Sequence, residues 1–255
     1  MESKNINNSN KNYEDFTESK YAELISLAKK KYNFISYTDY KKKGQNILWR
    51  HDVDISVNRA FTLSKIEKES NITSTYFFHL HSFFYNLFEE DIALLAKKIL
   101  SLGHELGLHF DPCFYQKTIS PYCDLIMFAK IEKKILEELF FSKVVAISFH
   151  NPDTFSNFDS GSDKILGMVN VNSEYIKNKY SYCSDSNGYW RYKRLENILM
   201  SSEDKYLQVL THPEWWVPSP MSPRERINRC IDGRAKKQNI YYDELLRSLG
   251  RENIR

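Results

Sequence analysis

Short apolar runs alternate with amphipathic stretches along most of this chain, and histidines stand at the ends of those runs. Residues 47–54 read Ile-Leu-Trp-Arg-His-Asp-Val-Asp, and residues 103–111 read Gly-His-Glu-Leu-Gly-Leu-His-Phe-Asp. Short apolar runs bounded by polar residues are typical of buried strands. Six of the seven histidines lie at or just past such a run, so we expect one pocket at the strand ends that holds metal ligands and proton carriers. This pattern is typical of a hydrolase.

The spacing of apolar residues predicts the elements of the fold. Helices are predicted over residues 13–31, 57–70, 89–102, 123–140, 163–168, 195–200 and 224–249. Strands are predicted over residues 46–54, 74–81, 104–110, 144–150 and 206–212, and one more within 175–185. Such alternation implies parallel strands covered by helices, and the absence of a glycine-rich phosphate loop argues against an open nucleotide-binding sheet. We therefore predict an α/β fold, a distorted TIM-like (β/α) barrel of seven or eight mostly parallel strands.

Composition limits the class of protein. The chain has 255 residues, 42% of them hydrophobic, which suffices for one domain over residues 13–255, while the polar, Asn-rich residues 1–12 are expected to be disordered. A formal net charge of only +3 argues against a nucleic-acid partner. The four cysteines have no CxxC spacing and the sequence shows no signal peptide, which predicts a cytoplasmic protein. No apolar run is long enough to span a bilayer, so stable membrane insertion is not expected. The oligomeric state stays open.

Two aspartates follow the first predicted strand closely. The period of a strand puts Asp52 and Asp54 on one side and Val53 on the other. Two carboxylates that face each other are costly unless a cation lies between them or one is protonated. A metal held by one acid, with the other acting as a base, removes that cost, and Arg50 and His51 are expected at the same place. The competing interpretation is a solvated turn before a helix N-terminus, where acids are favoured.

The run at residues 104–110 contains two histidines at odd spacing. The strand period therefore puts His104 and His109 on opposite faces, so they are not expected to share a metal. His109, at the end of the strand, is the better ligand, and His104 is expected to be structural. Asp111 and Cys113 follow closely, and either could approach the same ion.

Two further strands end in a histidine that a proline soon follows. His150 and His212 close apolar runs in this way, which packing alone explains poorly. A lone terminal histidine is usually structural or solvated, but several in one small chain favour function. His79 and His81 share strand parity and fit either the pocket or a packing role. Among the residues after the next strand, Asp185 could orient a histidine and Trp190 could form the wall of a sugar site, or the segment is a tight turn with a buried tryptophan.

The order of these motifs resembles the polysaccharide deacetylase (NodB-homology) superfamily of metal-dependent carbohydrate de-N-acetylases, especially its short cytoplasmic members encoded with surface-polysaccharide genes. The resemblance runs from about Ile47 to Trp216. Arg-His-Asp-Val-Asp is similar to the family's Asp-x-Asp motif, which implies Asp52 as catalytic base and Asp54 as metal ligand. Residues 103–109 are similar to Gly-His-Glu-Ile-Gly-x-His, whose last histidine binds the metal.

The chain departs from the family in its third metal ligand. The family has a second histidine four residues after His109, and this chain has Cys113 there. Ser-Phe-His-Asn-Pro falls where the family has Arg-x-Pro, so His150 stands in place of an arginine that tunes the base. We expect His150 to complete the metal site, with Asp111 and Cys113 as the alternatives.

The last two motifs imply the proton donor. Residues 185–190 resemble the family's fourth motif, whose acid supports the catalytic histidine and whose tryptophan shapes the substrate cleft. Leu-Thr-His matches the fifth motif, Leu-x-His, and implies His212 as general acid, supported by Asp185. Residues expected to contact substrate are Trp190, Arg191, Trp215 and Asn151.

The resemblance implies an activity. A divalent metal, expected to be zinc, would support removal of an acetyl or formyl group from an amino sugar that is a small molecule, nucleotide-linked or lipid-linked. Basic residues 224–237 could contact a phosphate or a membrane, or form a solvated helix face. Two alternatives remain: a hydrolase of cyclic amides, as in allantoinase-like members, and a catalytically silent sugar-binding protein.

Overall fold

The computed structural model describes residues 13–151, 161–190, 192–201 and 203–254. Residues 1–12, predicted to be disordered, and Arg191, predicted to contact substrate, lie outside these ranges. The strands are β1 (Asn33–Phe34), β2 (Asn46–Val53), β3 (Thr75–Phe78), β4 (Glu105–Phe110), β5 (Val144–Phe149), β6 (Lys164–Ile165), β7 (Met168–Asn170), β8 (Ser181–Ser184) and β9 (Tyr206–Thr211). The helices are α1 (Glu18–Lys29), α2 (Val57–Glu69), α3 (Glu90–Ser101), α4 (Pro112–Thr118), α5 (Leu125–Phe140), α6 (Glu174–Lys179), α7 (Leu195–Ser201) and α8 (Pro223–Ser248).

The strands form one mostly parallel sheet that helices flank. Its order is β6-β7-β5-β4-β3-β2-β9-β8, with β1 paired to β2, and only β6 and β7 run antiparallel. This confirms the predicted α/β class. Within the described ranges no pairing joins β8 to β7 or β6, so the sheet is open and the predicted barrel is not closed. At one edge of the sheet the two-residue β6 folds back on the short β7.

The predicted helix over residues 163–168 is wrong, because this segment forms the hairpin of β6 and β7. Leu166 and Gly167 connect the two strands with φ of 52° and 80°. Two consecutive positive φ values are the geometry of a type I′ hairpin turn, which glycine favours. Helical spacing over six residues was too short a signal to outweigh that turn. The short helices α4 and α6 were not predicted.

The alternation along β2 decides which side chains reach the concave face of the sheet. All eight of its residues are buried. Trp49 packs outward among residues of α1, while Leu48 packs inward against Phe77 of β3. Arg50 and Asp52 continue the inward side and line a cavity. The strand period therefore brings a charged pair to the face of the sheet that bears the cavity.

His51 faces the opposite way and belongs to a buried polar cluster around Glu67 of α2. The Glu67 carboxylate accepts hydrogen bonds from the hydroxyls of Tyr21, Ser74 and Tyr76 at 2.5–2.6 Å, and Nε2 of His51 lies 2.7 Å from it. Burial alone would raise the pKa of Glu67, but His51, His104 and the hydroxyl of Ser74 lower it to about 2. The expectation that His51 joins Arg50 at the site is therefore corrected, because odd spacing puts it on the other face of β2.

Replacing Glu67 with alanine should destabilise the protein by about 3–5 kcal/mol, since the buried His51 ring and three buried hydroxyls lose their common partner together. The carboxyl has a folded-state pKa below its unfolded value, so its stabilising effect is complete above pH 4.5 and is lost as the pH falls through about 2. Chemical denaturation at neutral pH and along an acid series measures both effects. Glu69→Ala, on the exposed side of the same helix, is the control and should change stability little. Equal unfolding free energies for the two variants would contradict the role of this cluster.

Within the described ranges, no helix is both long enough and apolar enough to cross a bilayer.

Candidate functional site

A cavity of about 550 Å³ opens at the carboxyl ends of the parallel strands. Five histidines line it: His79, His81, His109, His150 and His212. The prediction that most histidines share a pocket at the strand ends agrees with this placement. His104 lies elsewhere, as expected, with Nε2 3.0 Å from the carbonyl oxygen of Ser64.

Three possible metal-ligand atoms lie close together, one each from Asp54, His109 and His150. These atoms lie within 4.8 Å of one another, and Nε2 of His109 is 3.1 Å from Oδ1 of Asp54 and 3.2 Å from Nδ1 of His150. Oδ1 of Asp54 is buried and, among the described residues, makes no hydrogen bond of good geometry. One carboxylate with two imidazoles matches the ligand types of catalytic zinc sites, which keep a further position for water or substrate. These residues therefore fit a divalent cation.

His109 is held in one orientation by its second ring nitrogen. Nδ1 lies 2.7 Å from Oγ of Ser148, which pairs with His109 across β4 and β5, and 3.6 Å from Oδ2 of Asp52. A hydrogen bond at Nδ1 fixes the ring and leaves Nε2 directed at the cluster with Asp54. Ser148 was not predicted, although its position two residues before His150 on the same strand face was a signal.

Asp52 lies beside this cluster on the same face of β2 as Asp54. Its carboxylate is 3.5 Å from Nη2 of Arg50 and accepts a hydrogen bond from Oγ of Ser148 at 3.3 Å. Asp52 and Arg50 are both almost fully buried. The guanidinium supplies the charge that lets two carboxylates lie close together at the end of one strand.

His212 and Asp185 form a second unit beside the cluster. Nδ1 of His212 is 2.7 Å from Oδ1 of Asp185, whose two oxygens also accept the backbone N–H of His212. The indole N–H of Trp216 donates to Oδ2 of Asp185 at 2.9 Å. Burial alone would lower the pKa of His212, but Asp185 raises it to about 10. The ring therefore carries a proton at neutral pH, with Nε2 3.8 Å from Oδ2 of Asp54.

The charges around Asp54 also determine its protonation. Burial alone would raise the pKa of this carboxyl, but His109, His150 and His212 hold it well below its usual range. Asp54 is therefore an anion, the form in which a carboxylate binds a metal.

Two of the other predicted substrate contacts line the cavity, and Trp190 does not. Trp215 and Asn151 line the cavity, as expected of substrate contacts. Trp190 does not: it is buried between Phe16 and Trp216, and its indole N–H donates to Asp15. The predicted place of Trp190 in the substrate cleft is therefore corrected to the hydrophobic core.

Among the described residues, neither of the two alternative third ligands belongs to the group of ligand atoms that lie within 4.8 Å of one another. Oδ1 of Asp111 accepts the backbone N–H groups of Cys113 and Phe114 and so caps α4. Asp111 lines the cavity, whereas Cys113 is not among its lining residues. The geometry therefore favours His150 as the third ligand.

Glu214 lines the cavity and was not predicted. It is almost fully buried, and within the described residues its Oε2 makes no hydrogen bond. Burial raises the pKa of Glu214 well above its usual range. Its position two residues after His212, at a predicted strand end, was the available signal.

The solved structures of similar fold include the following two. A Streptococcus pyogenes deacetylase, PplD, in complex with acetate is 14% identical, with 80% of this chain and 82% of that chain covered and a TM-score of 0.40. A mutant of BA3943, described as a CE4 family pseudoenzyme with restored enzymatic activity, is 14% identical, with 77% of this chain and 64% of that chain covered and a TM-score of 0.41. No protein-family model and no curated protein matches the sequence. At this identity and overlap, neither likeness assigns a function to the chain.

Proposed function

We propose that this protein is a metal-dependent hydrolase that removes an N-acyl group from an amino sugar. One observation supports the proposal: a single cavity holds a cluster of three possible metal ligands with a carboxylate and a protonated histidine beside it. Asp54, His109 and His150 form the cluster, Asp52 lies next to His109, and His212 lies next to Asp54. Hydrolysis of an amide needs a proton acceptor for water and a proton donor for the leaving amine, and this arrangement supplies both.

A divalent cation held by the cluster would polarise the acyl carbonyl and make water acidic enough to lose a proton near neutral pH. The side chains perform the proton transfers. Asp52 accepts a proton from the water whose oxygen bonds to the acyl carbon. His212 donates its Nε2 proton to the nitrogen as the C–N bond breaks, and Asp185 holds the ring for that transfer. The products are a free amine and a carboxylic acid, acetic or formic, that then ionises.

The substrate is proposed to be an amino sugar that is nucleotide-linked or lipid-linked, used in surface-polysaccharide biosynthesis. Trp215 and Asn151 line the cavity and provide an aromatic face and an amide for a sugar ring. We propose zinc as the metal, because two imidazoles and a carboxylate suit it. The four free cysteines fit a reducing compartment, and the cytoplasm is the proposed location.

Replacing Asp52 with asparagine tests the proposal. We expect the variant to keep its metal but to lose about 10²–10⁴-fold in kcat, because the amide cannot accept the proton from water. Metal content by elemental analysis and acid release from N-acetyl and N-formyl sugars, free, nucleotide-linked and lipid-linked, are the measurements. Asp39→Asn, at an exposed position, is the matched control.

Other outcomes of the same assay would contradict the proposal. Full activity of Asp52→Asn would remove Asp52 from the mechanism. Wild-type turnover of a cyclic amide such as allantoin, without turnover of any N-acyl sugar, would favour the cyclic-amide alternative. Sugar binding without turnover of either class by the metal-loaded protein would indicate a silent binding protein.

A further inference from the structure

His79 lies in the same cavity and has no role in the mechanism above. β3 ends at Phe78, so His79 is the first residue beyond the strand. Its side chain lines the cavity and is only 4% exposed. The centre of its ring is 4.9 Å from that of His150 and 5.7 Å from that of His109. Any group bound at the cluster therefore comes close to this ring.

Hydrogen bonds of the backbone fix the position of His79. Its N–H donates to the hydroxyl of Tyr85 at 2.9 Å, and that hydroxyl donates to the carbonyl oxygen of Val53 at 2.6 Å. Tyr85 and Val53 are buried. The residue is thus tied to the end of β2, the strand that carries Asp52, and a group held in this way is preorganised.

The ring has a defined tautomer. The backbone N–H of His81 donates to Nδ1 of His79 at 3.0 Å, and a ring nitrogen can accept such a bond only if it carries no proton. The remaining ring proton therefore lies on Nε2. Among the described residues Nε2 makes no hydrogen bond, because the nearest carboxylate oxygen, Oδ2 of Asp111, is 4.0 Å away. His79 thus offers a neutral N–H donor to the cavity.

We propose that His79 is a further catalytic residue, which donates a hydrogen bond from Nε2 to the oxygen of the acyl group as that oxygen gains negative charge. This proposal rests on the proposed function. Nδ1 of His109 is already paired with Ser148. His212, held by Asp185, donates its proton to the leaving amine in the proposed reaction. His79 is therefore a donor that remains for the acyl oxygen. A neutral donor stabilises the developing charge without transferring its own proton.

A fourth metal ligand is the competing role for His79. Binding through Nε2 would move the ring proton to Nδ1 and break the hydrogen bond from His81. The three ligand atoms that lie together belong to Asp54, His109 and His150. The geometry therefore favours a donor over a ligand.

Two variants separate these roles. We expect His79→Leu to keep the metal content of the wild type and to lose about 10²–10³-fold in kcat with little change in KM, as for loss of one donor to an oxyanion. His79→Gln, whose amide can donate from a similar position, should recover part of the loss. Unchanged kcat in His79→Leu, or loss of metal, would overturn the proposal. Equal kcat for His79→Leu and His79→Gln would indicate a packing role and would also overturn it.

A second measurement does not depend on turnover. Nitrogen-15 NMR of the histidine rings should show the Nε2–H tautomer for His79 with and without zinc, and a shift of its Nε2–H resonance when acetate is added to the zinc-loaded protein. His104 is the internal control, since its Nδ1 also accepts a backbone N–H, that of Ser74, yet it lies outside the cavity. An Nδ1–H tautomer, zinc bound to Nε2, or no response to acetate would overturn the proposal. Because this result is independent of catalysis, failure of the donor role and failure of the proposed reaction are distinguishable.

Discussion

Alanine at Asp54 or at His109 should abolish metal binding and turnover together. Each change removes one of three ligand atoms that lie within 4.8 Å of one another, and a site with two remaining protein ligands is too weak to keep a dication through dialysis. Loss of a cation that stabilises the transition state by several kcal/mol lowers kcat by more than about 10³-fold, since about 1.4 kcal/mol is a factor of ten. Elemental analysis after dialysis and steady-state kinetics are the measurements.

Thermal unfolding provides a second measurement of the same loss. A ligand that binds only the folded state raises its stability by about 4 kcal/mol when present at about 1000 times its Kd. Added zinc should therefore raise the melting temperature of the wild type and leave that of Asp54→Ala or His109→Ala unchanged.

Substitutions at the two alternative ligands are the controls. Cys113→Ser and Asp111→Asn should keep the metal, because Asp111 caps α4 and the thiol of Cys113 does not line the cavity. Asparagine also serves as a helix N-cap, so the second variant should fold normally. Metal retained by Asp54→Ala, or lost from Cys113→Ser, would contradict the proposed ligand set.

The strand period alone was enough to anticipate much of this geometry. Asp52 and Asp54 share a face of the chain, and His104 and His109 do not, as two-residue alternation requires. The same rule, applied to His51, would have separated it from Asp52. His51 was expected at the site because it is adjacent to Arg50 and Asp52 in the sequence. Its partner is Glu67, on the following helix.

Other features depend on contacts that local sequence does not contain. Trp190 is buried because Phe16 stacks on it and Asp15 accepts its indole N–H, and both partners come from the beginning of the chain. The antiparallel edge strand depends on the hairpin at Leu166 and Gly167, a turn of two residues. Glu214 reaches the cavity only because the turn after His212 directs it there. Such outcomes follow from tertiary packing rather than from local pattern.

Replacing His212 with alanine should lower kcat on an N-acyl sugar by about 10²–10⁴-fold and leave metal content unchanged, because the leaving amine loses its proton donor.

Replacing Asp185 with asparagine should change the pH dependence of the rate instead. Asp185 raises the pKa of His212 to about 10, so the acid form persists at neutral pH and the rate falls as the pH rises through that pKa. Without the carboxylate the pKa moves towards 6.5, and the alkaline fall begins at lower pH.

A bound dication lowers the pKa of His212, whereas Asp185 raises it. The pH at which the rate of the metal-loaded wild type falls should therefore lie below 10 and above the pH at which the rate of Asp185→Asn falls. Asp204→Asn is the matched control, since that carboxylate accepts a hydrogen bond from Ser181 at the start of β8 and the variant should not change the pH dependence of the rate.

The choice of leaving group tests directly whether His212 protonates the amine. An anilide with a good leaving group needs little protonation, so His212→Ala should lose much less activity on it than on a sugar amide. Equal losses on both substrates would show that His212 does not protonate the amine.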